Sequence, residues 1–203
     1  SMSEPSSWPL SNEALRVRVP KHIVEELEHD VLSRDLFTTA IGYYPDAAQH
    51  QMHRISHDDY IMLYCAEGLG HLASDDFSGL IEKGDLFILP PNTAHQYWAD
   101  ERSPWTLFWC HFRGLAAKAH FDHIYRKSEN LVIKARDVHT LAGFRDLVQL
   151  ARSSYTRASF IHISSMLRLQ LTSTERIANA ETKQRAGINI DEIQRYMRQH
   201  INR

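Results

Sequence analysis

The sequence predicts an α+β fold: a small β-barrel followed by a layer of helices. Three observations carry that prediction. Short apolar runs, rich in aromatic and β-branched residues, recur between turn signals from Leu36 to Arg113. No long helix fits between those turns. After Gly114 the apolar spacing becomes helical and stays so.

Taken in order, the first twenty residues read as a flexible arm, with Trp8 placed to fold over a filled pocket. Pro20 then opens a short helical pattern, with Ile23, Val24, Leu27 and Val31 at helical spacing and Glu25 and Glu26 in its first turn. Arm and helix make up 1–35. The barrel, 36–114, draws its strands from LFTTAIGYY, YIMLYCAEG, HLASDD, GLIEKGD, LFILPPNTAHQYW and WTLFWCHF. Its turns fall at Gly68 and Gly70, Asp75-Asp76, Lys83-Gly84-Asp85, Pro90-Pro91-Asn92 and Ser103-Pro104.

A helical region, 115–180, comes next. One helix is expected from Leu115 to about Tyr125, and a second from near Asp137, marked by Leu141, Phe144, Leu147, Val148 and Ala151. A third begins at Ser159, a good capping residue. It is apolar on two sides: Ile163, Leu167 and Leu171 form one row, Met166 and Leu169 another. A barrel covers only one row. Soluble chains avoid large exposed apolar patches, and pairing like helices removes one, so a homodimer through Ile163, Leu167 and Leu171 is expected. The stretch 181–203 reads as a linker, continuing the polar run from Asn179 to Gly187, and then the first helix of a further domain cut short. That helix is capped by Asn189 and Glu192, with Ile190, Ile193, Met197 and Ile201 on one face.

Charge narrows the function. The net charge is -2 with acids and bases interspersed, so the chain lacks the basic footprint of a free-standing nucleic-acid binder. It has no apolar signal core and no stretch long enough to span a bilayer, so the cytoplasm is expected and no membrane partner. Cys65 and Cys110 each sit in an apolar run and read as buried, reduced thiols.

The most specific local signal is GDLFILPPNTAH, Gly84 to His95. A glycine turn, an apolar strand, a proline bend and a histidine on the next strand resemble the second motif of the cupin barrel, whose histidine ligates a metal in cupin enzymes. The other ligands of that family come from an H-x-H motif and a later glutamate. This sequence offers His50, His53 and His57, none of them two apart, and Glu67 stands beside Gly68 in a turn. A metal needs three or four convergent ligands, so no metal and no cofactor are expected. The three histidines read as solvated. A metal-dependent cupin enzyme, an isomerase or dioxygenase, is the alternative reading.

Further phrases add to this: GYYPDA at 42–47, Arg54, DYIMLYCAEGLG at 59–70, GDLFILPPNTAHQYWAD at 84–100 and PWTLFWCHFRG at 104–114. In this order and spacing they resemble the ligand-binding domain of AraC/XylS-type transcription regulators, especially the sugar-responsive branch. The closing IDEIQRYMRQHINR, 190–203, resembles the first helix of that family's DNA-binding domain. The resemblance implies a non-enzymatic sensor that binds a small effector, expectedly a sugar, dimerises, and reaches DNA only through a domain outside this chain.

The resemblance also promotes Arg54, Tyr97 and Trp109 to ligand-contacting positions. Strand alternation agrees on part of this: Leu107, Trp109 and His111 share one face, and His95 and Tyr97 another. An indole stacks on the C–H face of a sugar, while Arg, His and Tyr bond its hydroxyls. Plain core packing for Trp109, a backbone-bonded barrel role for His95, and barrel closure for His111 remain open. Of Tyr43 and Tyr44 only one can face inward, and Tyr44 is taken as the one.

Overall fold

The computed structural model describes residues 11–54, 57–75, 77–126, 128 and 130–201, with 181–191 and residue 201 described by backbone alone. Two antiparallel sheets face each other. The larger runs in the order β1 (Leu15–Arg18), β2 (Phe37–Tyr44), β9 (Thr106–Arg113), β4 (Tyr60–Glu67), β7 (Asp85–Leu89) and β10 (Ile133–Lys134). The smaller runs β3 (Gln51–Arg54), β8 (His95–Ala99), β5 (Gly70–Ser74) and β6 (Ser78–Ile81). Short strands with alternating faces suit this closure, because each strand can serve two cores at once.

β9 shows how. Leu107 points between the sheets into a core with Trp105, Phe87 and Leu63. Phe108, Cys110 and Phe112 point the other way, into a core shared with the helices. The same alternation sends Tyr44 of β2 between the sheets and Tyr43 outward against Phe108, with ring centroids 4.7 Å apart. Cys65 and Cys110 are free and buried, as their apolar runs predict. Burial pushes both thiols up to about 12, so neither is a nucleophile at neutral pH.

Four helices cover the larger sheet's outer side: α1 (Lys21–His29), α2 (Ala117–Tyr125), α3 (Val138–Ser153) and α4 (Arg157–Ile201). Asp137 caps α3, its carboxylate accepting from the Thr140 amide at 3.2 Å. α4 packs on α2, α3 and β2. At one close approach the buried Gln170 amide donates to the Thr140 carbonyl at 3.0 Å, across Gly143.

Four expectations need correction. Residues 15–18 of the supposed arm form β1, paired with β2 from Leu15↔Tyr43 to Arg18↔Ala40. The alternation Leu15-Arg16-Val17-Arg18-Val19 already carries that strand. Val31 lies past the end of α1 and is exposed. No break separates the third helix from the next: 181–187 is helical backbone inside α4. The fourth concerns the dimer row. Ile163, Leu167 and Leu171 are all fully buried in the chain's own core, so they are not a surface for a second copy. The barrel and the other helices between them cover more of α4 than a barrel alone would. The row left outside holds Leu169, 69% exposed. Trp8 lies outside the described residues.

Candidate functional site

One end of the inter-sheet space is filled by the core around Trp105 and Phe87. The other end is hollow. The cavity has a volume of about 710 Å³, and its walls come from β2, β3, β8 and β9, with β1 and α1 at its rim. That size is ordinary for a small-molecule site.

Tyr44, Arg54, Tyr97, Trp109 and His111 all line this cavity, five of the six residues singled out from the sequence. Trp109 lies flat across Gly42, its partner on β2: a Cβ on Gly42 would sit 1.8 Å from the indole Cε2. Glycine there is what lets the ring lie against the sheet and show its other face to the cavity. Tyr44 stands edge-on to it at 5.6 Å and accepts a hydrogen bond from Arg16 Nε at 2.9 Å. The indole Nε1 faces that hydroxyl without completing a hydrogen bond to it. Burial, with no counter-charge strong enough to offset it, pushes the Tyr97 hydroxyl up to about 12, so it remains a donor.

His95, the sixth, does not line the cavity. It stacks on Tyr97 at 5.5 Å and meets His57 edge-on at 4.8 Å. His57 does line it, and so does His50. Both are buried, contrary to the solvated role read from their sequence pattern. The partners that make burial tolerable are not visible in sequence: the Trp105 indole donates to His50 Nδ1 at 3.1 Å, and His57 Nδ1 reaches the Asp59 carbonyl at 2.6 Å. His53 is exposed, as expected.

These imidazoles are neutral. Burial lowers His50 and His95 to about 4, lowers His57, and pushes His111 well below its ordinary value, with the Arg54 charge a further cause for His57, His95 and His111. A neutral ring has one N–H and one lone pair. His57 and His95 spend the N–H on carbonyls, Asp59 at 2.6 Å and Thr93 at 3.1 Å, so each keeps Nε2 as an acceptor. Both Nε2 atoms are buried without a partner, as is Arg54 Nε. Buried polar groups are normally bonded; of these three, Arg54 and His57 line the cavity, and their unmet bonding capacity is what a ligand there can meet. His111 Nδ1 lies 4.0 Å from Asp59, too long for a hydrogen bond, and with a neutral ring this is not an ion pair.

Asp59 is instead held by Thr39 Oγ1 at 2.6 Å and Arg113 Nε at 2.8 Å, and Arg113 also reaches Glu28 of α1 at 3.4 Å. This network ties α1 to the barrel mouth. Sequence reasoning missed it, together with Arg16 and Arg18, because the strand that carries them was read as a loose arm. Among the described residues no three His, Cys, Asp or Glu side chains converge as metal ligands. Glu67, dismissed as an inward ligand, is exposed and paired with Lys83 at 2.9 Å.

Several known proteins are similar to this chain. The MmsAB operon regulatory protein of Pseudomonas aeruginosa is 34% identical over 205 residues, covering 99% of this chain. The chain spans 66% of that regulator's length. The raffinose operon transcriptional regulatory protein of Pediococcus pentosaceus is 41% identical over 56 residues, 27% of this chain and 20% of that protein. A cupin-like protein from Thermotoga maritima superposes with a TM-score of 0.37 and 16% identity, over 50% of this chain and 67% of that one. The family described as AraC-like ligand binding domain matches residues 39–171, which include β3, β8, β9 and most of β2. The chain belongs to the AraC-like ligand binding domain family.

Proposed function

We propose that this chain is the effector-sensing part of a transcription regulator, and that its effector binds in the cavity between the sheets. The observation that carries the reading is the pair of buried, unpartnered polar atoms on Arg54 and His57 beside the open face of Trp109. Unmet bonding capacity next to an aromatic platform suits a small molecule with an apolar face and a hydroxylated rim, for which a sugar is the natural class. The absence of a converging ligand set among the described residues favours a sensor over a metal-dependent cupin enzyme.

Sensing requires that the effector prefer one arrangement of the protein over another. The Arg113–Glu28 contact links the cavity mouth to α1, and α1 packs against α4, which gives a path from occupancy to the long helix. We assign self-association to the outward side of α4 around Leu169 rather than to the buried row, and DNA contact to a domain outside these residues. A cytoplasmic site of action follows from that role. A thermal-shift screen against sugars and sugar acids tests the effector reading. A true effector raises the melting temperature, by about 2.7 kcal/mol of stabilisation at a hundredfold excess over its Kd. No shift from any compound would count against it.

A further inference from the structure

We propose that the effector is a hydroxy acid: its carboxylate sits on the Arg54 guanidinium and a hydroxyl donates to His57 Nε2. This rests on the effector-site reading above and narrows it from a neutral sugar to an anionic one.

The charge inventory of the cavity leads there. Its walls and rim hold Arg16, Arg18, Lys21, Arg54 and Arg113 against Glu25, Glu28, Asp58 and Asp59. Arg113 consumes two of the acids, Asp59 at 2.8 Å and Glu28 at 3.4 Å. The two acids left, Glu25 and Asp58, are exposed. No ion pair among the described residues engages Arg16, Arg18, Lys21 or Arg54. Arg54 is the innermost of them. It lines the cavity together with Tyr44, His57, Tyr97, Trp109 and His111. A guanidinium inside a protein is ordinarily matched by an anion. Here no ion pair among the described residues supplies one, and a ligand carboxylate fits its forked donors.

His57 fixes a second group of the ligand. With both Nδ1 atoms bonded to carbonyls, His57 and His95 present lone pairs, not protons. A carboxylate has only lone pairs to offer and is repelled there. A hydroxyl donates to His57 Nε2, the one of the two rings that lines the cavity. One acidic and one hydroxyl group, with a carbon frame against Trp109, describe a hydroxy acid.

Matched pairs of probes test this on the full chain: D-galactose and D-galacturonate, L-arabinose and L-arabonate, D-glucose and D-gluconate, with hexanoate as a carboxylate lacking hydroxyls and D-glucose 6-phosphate as a phosphate. Titration calorimetry should give an acid at least about tenfold tighter than its neutral partner and than hexanoate. The acid's affinity should fall with added salt, while that of any neutral sugar stays flat. Arg54→Gln should erase the acid preference without lowering the melting temperature of the unliganded protein, because the charge it removes has no ion-pair partner among the described residues. Neutral sugars binding as well as the acids, or a phosphate binding where the acids do not, overturns the hydroxy-acid assignment and leaves the effector site standing. An Arg54→Gln variant that keeps the acid preference overturns the assignment in the same way. Binding by no probe overturns both.

Discussion

Trp109 and Gly42 act as one unit. The indole rests where a Cβ would otherwise be, so Gly42→Ala must push the ring off the sheet and into the cavity. Gly42→Ala should cost about 1–3 kcal/mol of stability, as overpacking does, and weaken effector binding more than that stability loss alone explains. Urea melts and calorimetry on the same variant check both. The buried histidines make a separate prediction. His50 and His95 titrate near 4 in the folded chain and near 6.5 when unfolded, so between those values the unfolded state binds more protons. Stability should therefore hold steady above neutrality and fall as pH drops from about 6.5 toward 4, by up to about 1.4 kcal/mol per pH unit for each ring. Urea midpoints measured down that range check it, and a flat profile contradicts the assignment. Tyr97 and Trp109 were legible in the sequence because strand alternation and a family resemblance agreed on them, and Tyr44 because only one of two adjacent strand tyrosines can face inward. His50 and His57 were not, since what stabilises them is a Trp105 N–H and an Asp59 carbonyl brought close only by folding.

At the scale of elements, the barrel strands and α3 were readable from apolar period and turn residues, and α4 shows where such reading stops. Its two apolar rows were visible, but which row faces inward depends on α2 and α3 packing around it. Leu167 is fully buried, so Leu167→Ala should cost about 2–5 kcal/mol of folding free energy rather than merely release a partner. Leu169→Glu should leave the folding free energy of the chain within about 0.5 kcal/mol of the parent, as exposed substitutions do, and shift sedimentation toward monomer. A parent chain already monomeric at high micromolar concentration would refute the self-association assigned to this face. β1 teaches the same lesson from the other side. Its alternation is present in the sequence but short, and the partner strand that makes Leu15 and Val17 buried, β2, is brought beside it only by folding.

For the whole molecule, two cores share the larger sheet: one glues it to the helices, the other fills half of the space between sheets and leaves the remainder open. A chain that filled the second half with apolar side chains would be more stable and could sense nothing. Instead it places Arg54, His57 and Trp109 there, and leaves their bonding capacity for something else. The net charge of -2 gives this chain no strong attraction for DNA, so a gel shift with promoter DNA should show no discrete, salt-resistant complex. The central claim is that the cavity is where the effector binds. Its most direct test is titration calorimetry of the best compound from the screen, on the parent chain and on Trp109→Ala, with circular dichroism confirming that both are folded. One site per chain in the parent, and a loss of about tenfold or more in the folded variant, is the predicted result. Unchanged affinity in a folded Trp109→Ala would place the ligand elsewhere and contradict the account.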